Sequence, residues 1–138
     1  MTYKEQCRGQ ICNFFIITEV PEHLPIQNLN RVHPLKQKLI IQIFEELQNK
    51  KLLNKIKSMI LFGSSITQAC GMKSDLDMAL QLLPDENTRE NKNPVYDIIG
   101  ECADWNCDVF FLDKIGHNGR FYENVMNGVT LYNGQSDN

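Results

Sequence analysis

The order of apolar segments predicts an α/β (α+β) domain: a small mixed β-sheet flanked by helices. Three observations carry this expectation. One long amphipathic helix follows Pro34; three apolar runs of strand length lie at 58–62, 76–83 and 107–113; a helical run and a last extended piece close the chain. The 138 residues suit one domain, 1–138, and the hydrophobic fraction of 42% is enough to fill one core and leaves no room for a second domain. The core is expected over 34–133, with 1–30 as an N-terminal extension.

Within that extension, ICNFFIITEV (11–20) is rich in β-branched and aromatic residues, ends at Pro21, and reads as an edge strand. A loop over 21–33 follows. Pro34 suits a first helical turn, and Leu35, Leu39, Ile40, Ile43, Phe44 and Leu47 recur at helical spacing, leaving Lys36, Lys38, Gln42 and Glu46 outward. After a break at 48–51, Leu52, Leu53 and Ile56 continue briefly against the same core. SMILF (58–62) is too short for a useful helix and stops at Gly63, so it reads as a buried strand, as does LDMALQLL (76–83), which stops at Pro84. The polar, turn-rich 84–94 reads as a loop; VYDIIGECADW (95–105) reads as a helix with Gly100 as its weak point; CDVFFLD (107–113) is the third strand. FYENVMNG is a short helix closed by Gly128, and VTLYN is extended.

Composition narrows the classes of function. The chain contains no apolar run long enough to span a bilayer, and MTYKEQCRGQ is unlike a secretory signal, so a cytoplasmic protein without a membrane partner is expected. Cys7, Cys12, Cys70, Cys102 and Cys107 are odd in number and contain no Cys-x-x-Cys pair, which argues for reduced thiols over a disulfide framework or zinc ribbon. A net charge of −3 does not call for nucleic acid, and the basic run from Arg31 to Lys57 reads as a solvated helix face.

The chemistry is concentrated in LFGSSITQACGMKSDLDMAL (61–80). Residues two apart on a strand share a face, so Asp75 and Asp77 are expected to present two carboxylates side by side. Such a pair needs a compensating cation, and Mg²⁺ suits it, being held by one or two carboxylates together with substrate phosphates. Upstream, Gly63 permits close approach of a phosphate to the backbone and Ser64 offers a hydroxyl, with SSITQACG expected to open a short helix whose N-terminus favours an anion.

These residues resemble the nucleotidyltransferase superfamily of the DNA polymerase beta type, in particular its minimal, antitoxin-like branch. The family motif is an apolar strand, Gly-Ser, about ten residues, then Asp-x-Asp between apolar residues. ILFGS, SITQACGMKS and DLDMAL follow it, Asp108 in NCDVFFLD matches the third acid on another strand, and FYENVMNGVTLYN resembles the family's terminal helix and Leu-Tyr strand. The likeness spans about residues 35–133. Where many minimal members carry an arginine after Gly-Ser, this chain has Ser65, Ile66, Thr67 and Gln68.

The resemblance implies a nucleotidyltransferase fold and Mg²⁺-dependent transfer of a nucleoside monophosphate, AMP foremost, from a nucleoside triphosphate to a hydroxyl. It implies Asp75, Asp77 and Asp108 as catalytic residues and ligands of two Mg²⁺ ions (or Mn²⁺), with Gly63 and Ser64 on the triphosphate. Ser65 is an auxiliary phosphate contact and Lys73 a charge partner. The acceptor is a protein or small molecule, an antibiotic among them. With no helical acceptor domain in the chain, a second subunit of a homo-oligomer or a HEPN-type helical partner is expected to complete the site. The competing reading is a non-catalytic antitoxin-like module that binds such a partner. His117 and Arg120 read as surface residues, Asp113 as a loop or cap residue, Trp105, Phe110 and Phe111 as core, and Cys107 as an apolar filler.

Overall fold

The structure, a computed structural model, describes residues 13–134. The helix α1, Pro34–Asn49, begins where Pro34 takes the first position and the His33 ring accepts the Leu35 amide at 3.1 Å. The strand β1, Ile56–Phe62, is followed by a turn of 3₁₀ helix, Gly63–Ile66, and a loop to β2, Leu76–Leu82. The helix α2, Arg89–Cys102, then leads to β3, Cys107–Phe111; α3, Arg120–Met126, leads to β4, Val129–Asn133.

Among the described residues the strands form one sheet of four in the order β3-β2-β1-β4. The central pair β1–β2 and the pair β1–β4 are antiparallel, whereas β2 and β3 run parallel, joined by the crossover through α2. The molecule is therefore a small α+β fold with a mixed sheet. None of the described helices is long and apolar enough to cross a membrane.

Alternation along the strands sorts the side chains into two layers. Met59 and Leu61 of β1, Leu76, Met78 and Leu80 of β2, and Val129 and Leu131 of β4 pack with Ile40, Ile43, Phe44 and Leu47 of α1 and Val95 and Ile99 of α2. On the other face, Ile60, Phe62 and Ala79 meet Val125 of α3 and Leu112, with Phe110 and Ile115 against them. The first layer is the larger core. The second covers only part of its face.

Several sequence expectations change. Residues 13–20 form no strand: the segment lies on α1, with the Ile17 amide donating to Gln37 Oε1 at 2.9 Å and Gln37 Nε2 donating to the Phe15 carbonyl at 2.7 Å. A buried glutamine satisfies this backbone where a sheet neighbour would have done so. Positions 11 and 12, and with them Cys7 and Cys12, lie outside the described residues, while Cys70, Cys102 and Cys107 are free thiols.

β1 starts two residues before the expected Ser58, and β3 ends at Phe111, where a 3₁₀ turn over Leu112–Lys114 begins. The expected loop 84–94 is largely helix. Thr88 caps α2 by accepting the Asn91 amide at 3.3 Å, and Pro94 sits inside the helix, where it removes one intrahelical donor without ending it. Gly100 is required rather than weak, because the Trp105 ring lies where its Cβ would be. Trp105 is consequently an exposed ring folded over α2, beside Tyr96 at 5.9 Å, and not core.

Helix α1 buries a different stripe from the expected one. Lys36 is only 8% exposed, whereas Leu35 is 46% exposed. Lys36, Ile40, Ile43, Phe44 and Leu47 fall at i, i+4, i+7, i+8 and i+11, so the lysine occupies the first position of the core-facing stripe itself.

Phe44, fully buried between α1 and the sheet, anchors the larger core. Phe44→Ala is expected to lower unfolding free energy by about 3–5 kcal/mol in urea titrations, with an unchanged denaturant slope.

Candidate active site

The candidate residues gather at one end of the sheet. Phe62 is the last residue of β1 and faces Asp77 across the antiparallel pair; Asp77 in turn faces Asp108 across the parallel pair. Strand alternation sends both carboxylates to the face that carries Phe62 and Phe110, not to the α1–α2 core. A cluster of three aromatic rings flanks them there, with Phe121 of α3 at 5.0 Å from Phe110 and 6.0 Å from Phe62.

Gly63 follows directly and has φ +78°, in the left-handed region. A Cβ at this position would overlap Asp77 Oδ2, so the turn runs hard against the carboxylate. Ser64 is the next residue and is half-buried; the Ser65 side chain points inward and is fully buried. The expected short helix after Ser64 is absent. Gly63–Ile66 is a single 3₁₀ turn, closed by the Thr67 amide on the Ser64 carbonyl at 3.0 Å, and it offers no α-helical N-terminus to an anion.

β2 begins at Leu76, as the apolar run 76–83 predicts, so Asp75, expected to lie side by side with Asp77, is the exposed residue immediately before the strand. Its charge acts on Asp77. Among the described residues no three His, Cys, Asp or Glu side chains close into a ready-made metal site; Asp77 and Asp108 stand in register, and the charge of Asp75 reaches Asp77. Lys73 is exposed on the loop.

Electrostatics mark the pair. Burial, followed by the Asp108 carboxylate and then Asp75, pushes Asp77 up to about 6. Cys107, next to Asp108, is raised first by burial and then by the same three acids. Every one of these causes raises Asp77. The donor set is carboxylate oxygen, which suits a hard ion such as Mg²⁺ or Mn²⁺ rather than zinc, and a bound cation would relieve the repulsion that lifts Asp77. The residues present fit such an ion.

The remaining sequence candidates have structural roles. Asp113 pairs with Lys92 at 2.7 Å and accepts from Asn87, which holds its carboxyl low against the raising effect of its partial burial. His117 bonds the Leu112 carbonyl at 3.1 Å and stacks on Tyr122, so it secures its loop. Lys36, which the sequence reading placed on the solvent face, lies under the 63–75 loop.

Fold and site together define a class: a mixed-sheet α+β domain with paired acids on adjacent parallel strands beside a glycine turn. No protein-family model matches the chain, and no curated protein matches it. Residue pattern and geometry therefore carry the functional reading.

Two outcomes follow from this geometry. Gly63→Ala is expected to destabilise by about 1–3 kcal/mol in denaturant titrations, through the left-handed backbone and the displaced Asp77, while Gly116→Ala, whose Cβ would meet nothing, stays within about 0.5 kcal/mol. Because the folded-state value of Asp77 is raised, its contribution to stability is full below about pH 4 and is lost as pH rises through about 6. Asp77→Asn, which mimics the protonated acid, is thus expected to raise the melting temperature at pH 7.5 and to change it little at pH 4, measured by calorimetry across pH without divalent ions.

Proposed function

We propose that the protein is a nucleotidyltransferase that moves a nucleoside monophosphate, AMP foremost, from a nucleoside triphosphate to a hydroxyl of a protein or small-molecule acceptor. The observation that carries this reading is the register of Asp77 with Asp108 on adjacent parallel strands, with Gly63 packed against the Asp77 carboxylate. The spacing from Gly-Ser to Asp-x-Asp supports it, as does a fold compatible with the nucleotidyltransferase type.

In this reading Gly63 brings the backbone, and Ser64 its hydroxyl, to the triphosphate. The Asp108 carboxylate accepts the proton of the attacking hydroxyl, whose oxygen bonds to the α-phosphorus as pyrophosphate leaves. Asp77 and Asp108, joined by Asp75, would hold Mg²⁺ or Mn²⁺, which would supply charge compensation to the triphosphate and acidity to the acceptor hydroxyl. Asp77 contributes in its ionised form, so ligand binding strengthens as pH rises through about 6. Ser65, with its side chain turned inward, supports the turn and makes no direct phosphate contact in the turn's present form.

A second reading, a module that binds a partner such as a HEPN-type helical protein, is favoured by one observation. Phe15, Ile16 and Ile17 form a consecutive apolar stretch strapped along α1, with Phe15 84% exposed. The two readings make different demands on the acids.

With purified protein, Mg²⁺ and ATP labelled at the α-phosphate, and with candidate partner proteins or small hydroxyl acceptors, label is expected on the acceptor. Asp77→Asn and Asp108→Asn should each reduce transfer at least ~100-fold. Thermal stabilisation by Mg²⁺-ATP should vanish in the same variants. Equal stabilisation of wild type and both variants, with no transfer to any acceptor, would favour the binding module and remove the enzymatic reading.

A further inference from the structure

The 63–75 loop rests on the side chain of Lys36. Lys36 is 8% exposed, and its Nζ donates to the Ser74 carbonyl at 2.7 Å, immediately before Asp75. That is its one hydrogen bond to the described residues, and none of their carboxylates lies within ion-pair distance of it; the ion pair they do contain is Lys92–Asp113. Two of its three N–H groups therefore have no acceptor among these residues.

A second buried group beside it is also unsatisfied. The Ser65 hydroxyl is fully buried and finds no partner at bonding geometry. Both groups surround Cys70, whose thiol feels the Lys36 charge and lies near the Ser65 and Ser74 hydroxyls. The main chain ties the same region to α1 a second time, because the His33 amide donates to the Ser65 carbonyl at 2.8 Å. Both ends of the loop thus depend on the first turn of α1: Ser65 through His33 and Ser74 through Lys36.

A charge withdrawn from water is costly unless it is paired, and the described residues place no carboxylate within ion-pair distance of Lys36. Its ammonium lies under a loop whose two ends are Gly63–Ser64 and Asp75. An anion seated on that loop would supply the countercharge that the described residues do not.

We propose that Lys36 is the positioning residue of a polyphosphate site: its ammonium holds Ser74, and with it the 63–75 loop, in the conformation that receives the phosphates of a nucleoside triphosphate, and compensates their charge from beneath. This rests on the nucleotidyltransferase reading and names a residue outside the sequence motif. It also accounts for a loop that carries no arginine and whose lysine, Lys73, is turned to solvent.

The test is calorimetric titration of the full chain with inorganic tripolyphosphate and with ATP, each with Mg²⁺, alongside thermal melting. Lys36→Met removes charge and hydrogen bond, Lys36→Gln retains a donor for the Ser74 carbonyl without charge, and Lys36→Arg retains the charge. Met and Gln are expected to weaken tripolyphosphate binding about tenfold or more, Arg to stay within about threefold of wild type, and none to melt appreciably lower. A merely structural lysine would instead lower the melting temperature and leave affinity per folded molecule unchanged. Wild-type affinity in Lys36→Gln or Lys36→Met, or an equal loss in Lys36→Arg, overturns the assignment while leaving the nucleotidyltransferase reading intact. If Lys36→Met fails to fold, Gln and Arg decide between them. If the wild type binds neither ligand, both readings fall together.

Discussion

The register of β2 against β3 is the constraint on which the site depends. Parallel pairing sets Asp77 opposite Asp108, and pleating sends both carboxylates to the same face, so the repulsion between them is fixed by the backbone and cannot be relieved by a rotamer alone. The α2 crossover makes the parallel pair, and the packing of Val95 and Ile99 on the larger core holds it. The charge problem at the site is therefore maintained by apolar burial on the opposite face of the sheet. Burial first, and then the neighbouring Asp108 and Asp75, push Asp77 up towards neutrality.

The loop between β1 and β2 lies against this pair. Gly63 turns against Asp77 because no side chain can stand there, and the rest of the loop is held by its own turns, among them Thr67 on Ser64 and Ser74 on Gly71, and by two ties to the start of α1. A long connection of this kind between adjacent antiparallel strands is unusual in a small domain and is commonly where function lies. Here its two ends are fixed by backbone and ammonium contacts to a single helical turn. Any shift of α1 relative to the sheet would move Ser64 and Asp75 together.

The two sheet faces divide the labour. One is covered by α1 and α2 and supplies most of the buried apolar area; the other is only partly covered by α3, and the acids and the Phe62–Phe110–Phe121 cluster share it. Partial cover is what leaves the carboxylates accessible to a ligand. It also explains why burial raises Asp77 only part of the way towards a fully desolvated acid.

Much of this was legible in the chain itself. The helical spacing after Pro34, the apolar runs that became β1, β2 and β3, and the Gly-Ser and Asp-x-Asp signals are local properties, set by periodicity and by the steric freedom of glycine, and they identified the segments that meet at the site. Pairing was not legible. That Asp77 stands beside Asp108 depends on the register of β2 with β3, and register is decided by which side chains the two cores accept. The helix that replaced the 84–94 loop began at a Thr88 cap obscured by Pro94, and the N-terminal extension exchanged its expected strand for a buried glutamine. Lys36 shows the boundary most clearly. The sequence by itself determined the helix that carries it and, from its charge, put it on the outward face. Only the tertiary structure could decide that its side chain would turn inward instead, because its polar partner, the Ser74 carbonyl, comes from a loop almost forty residues further along the chain.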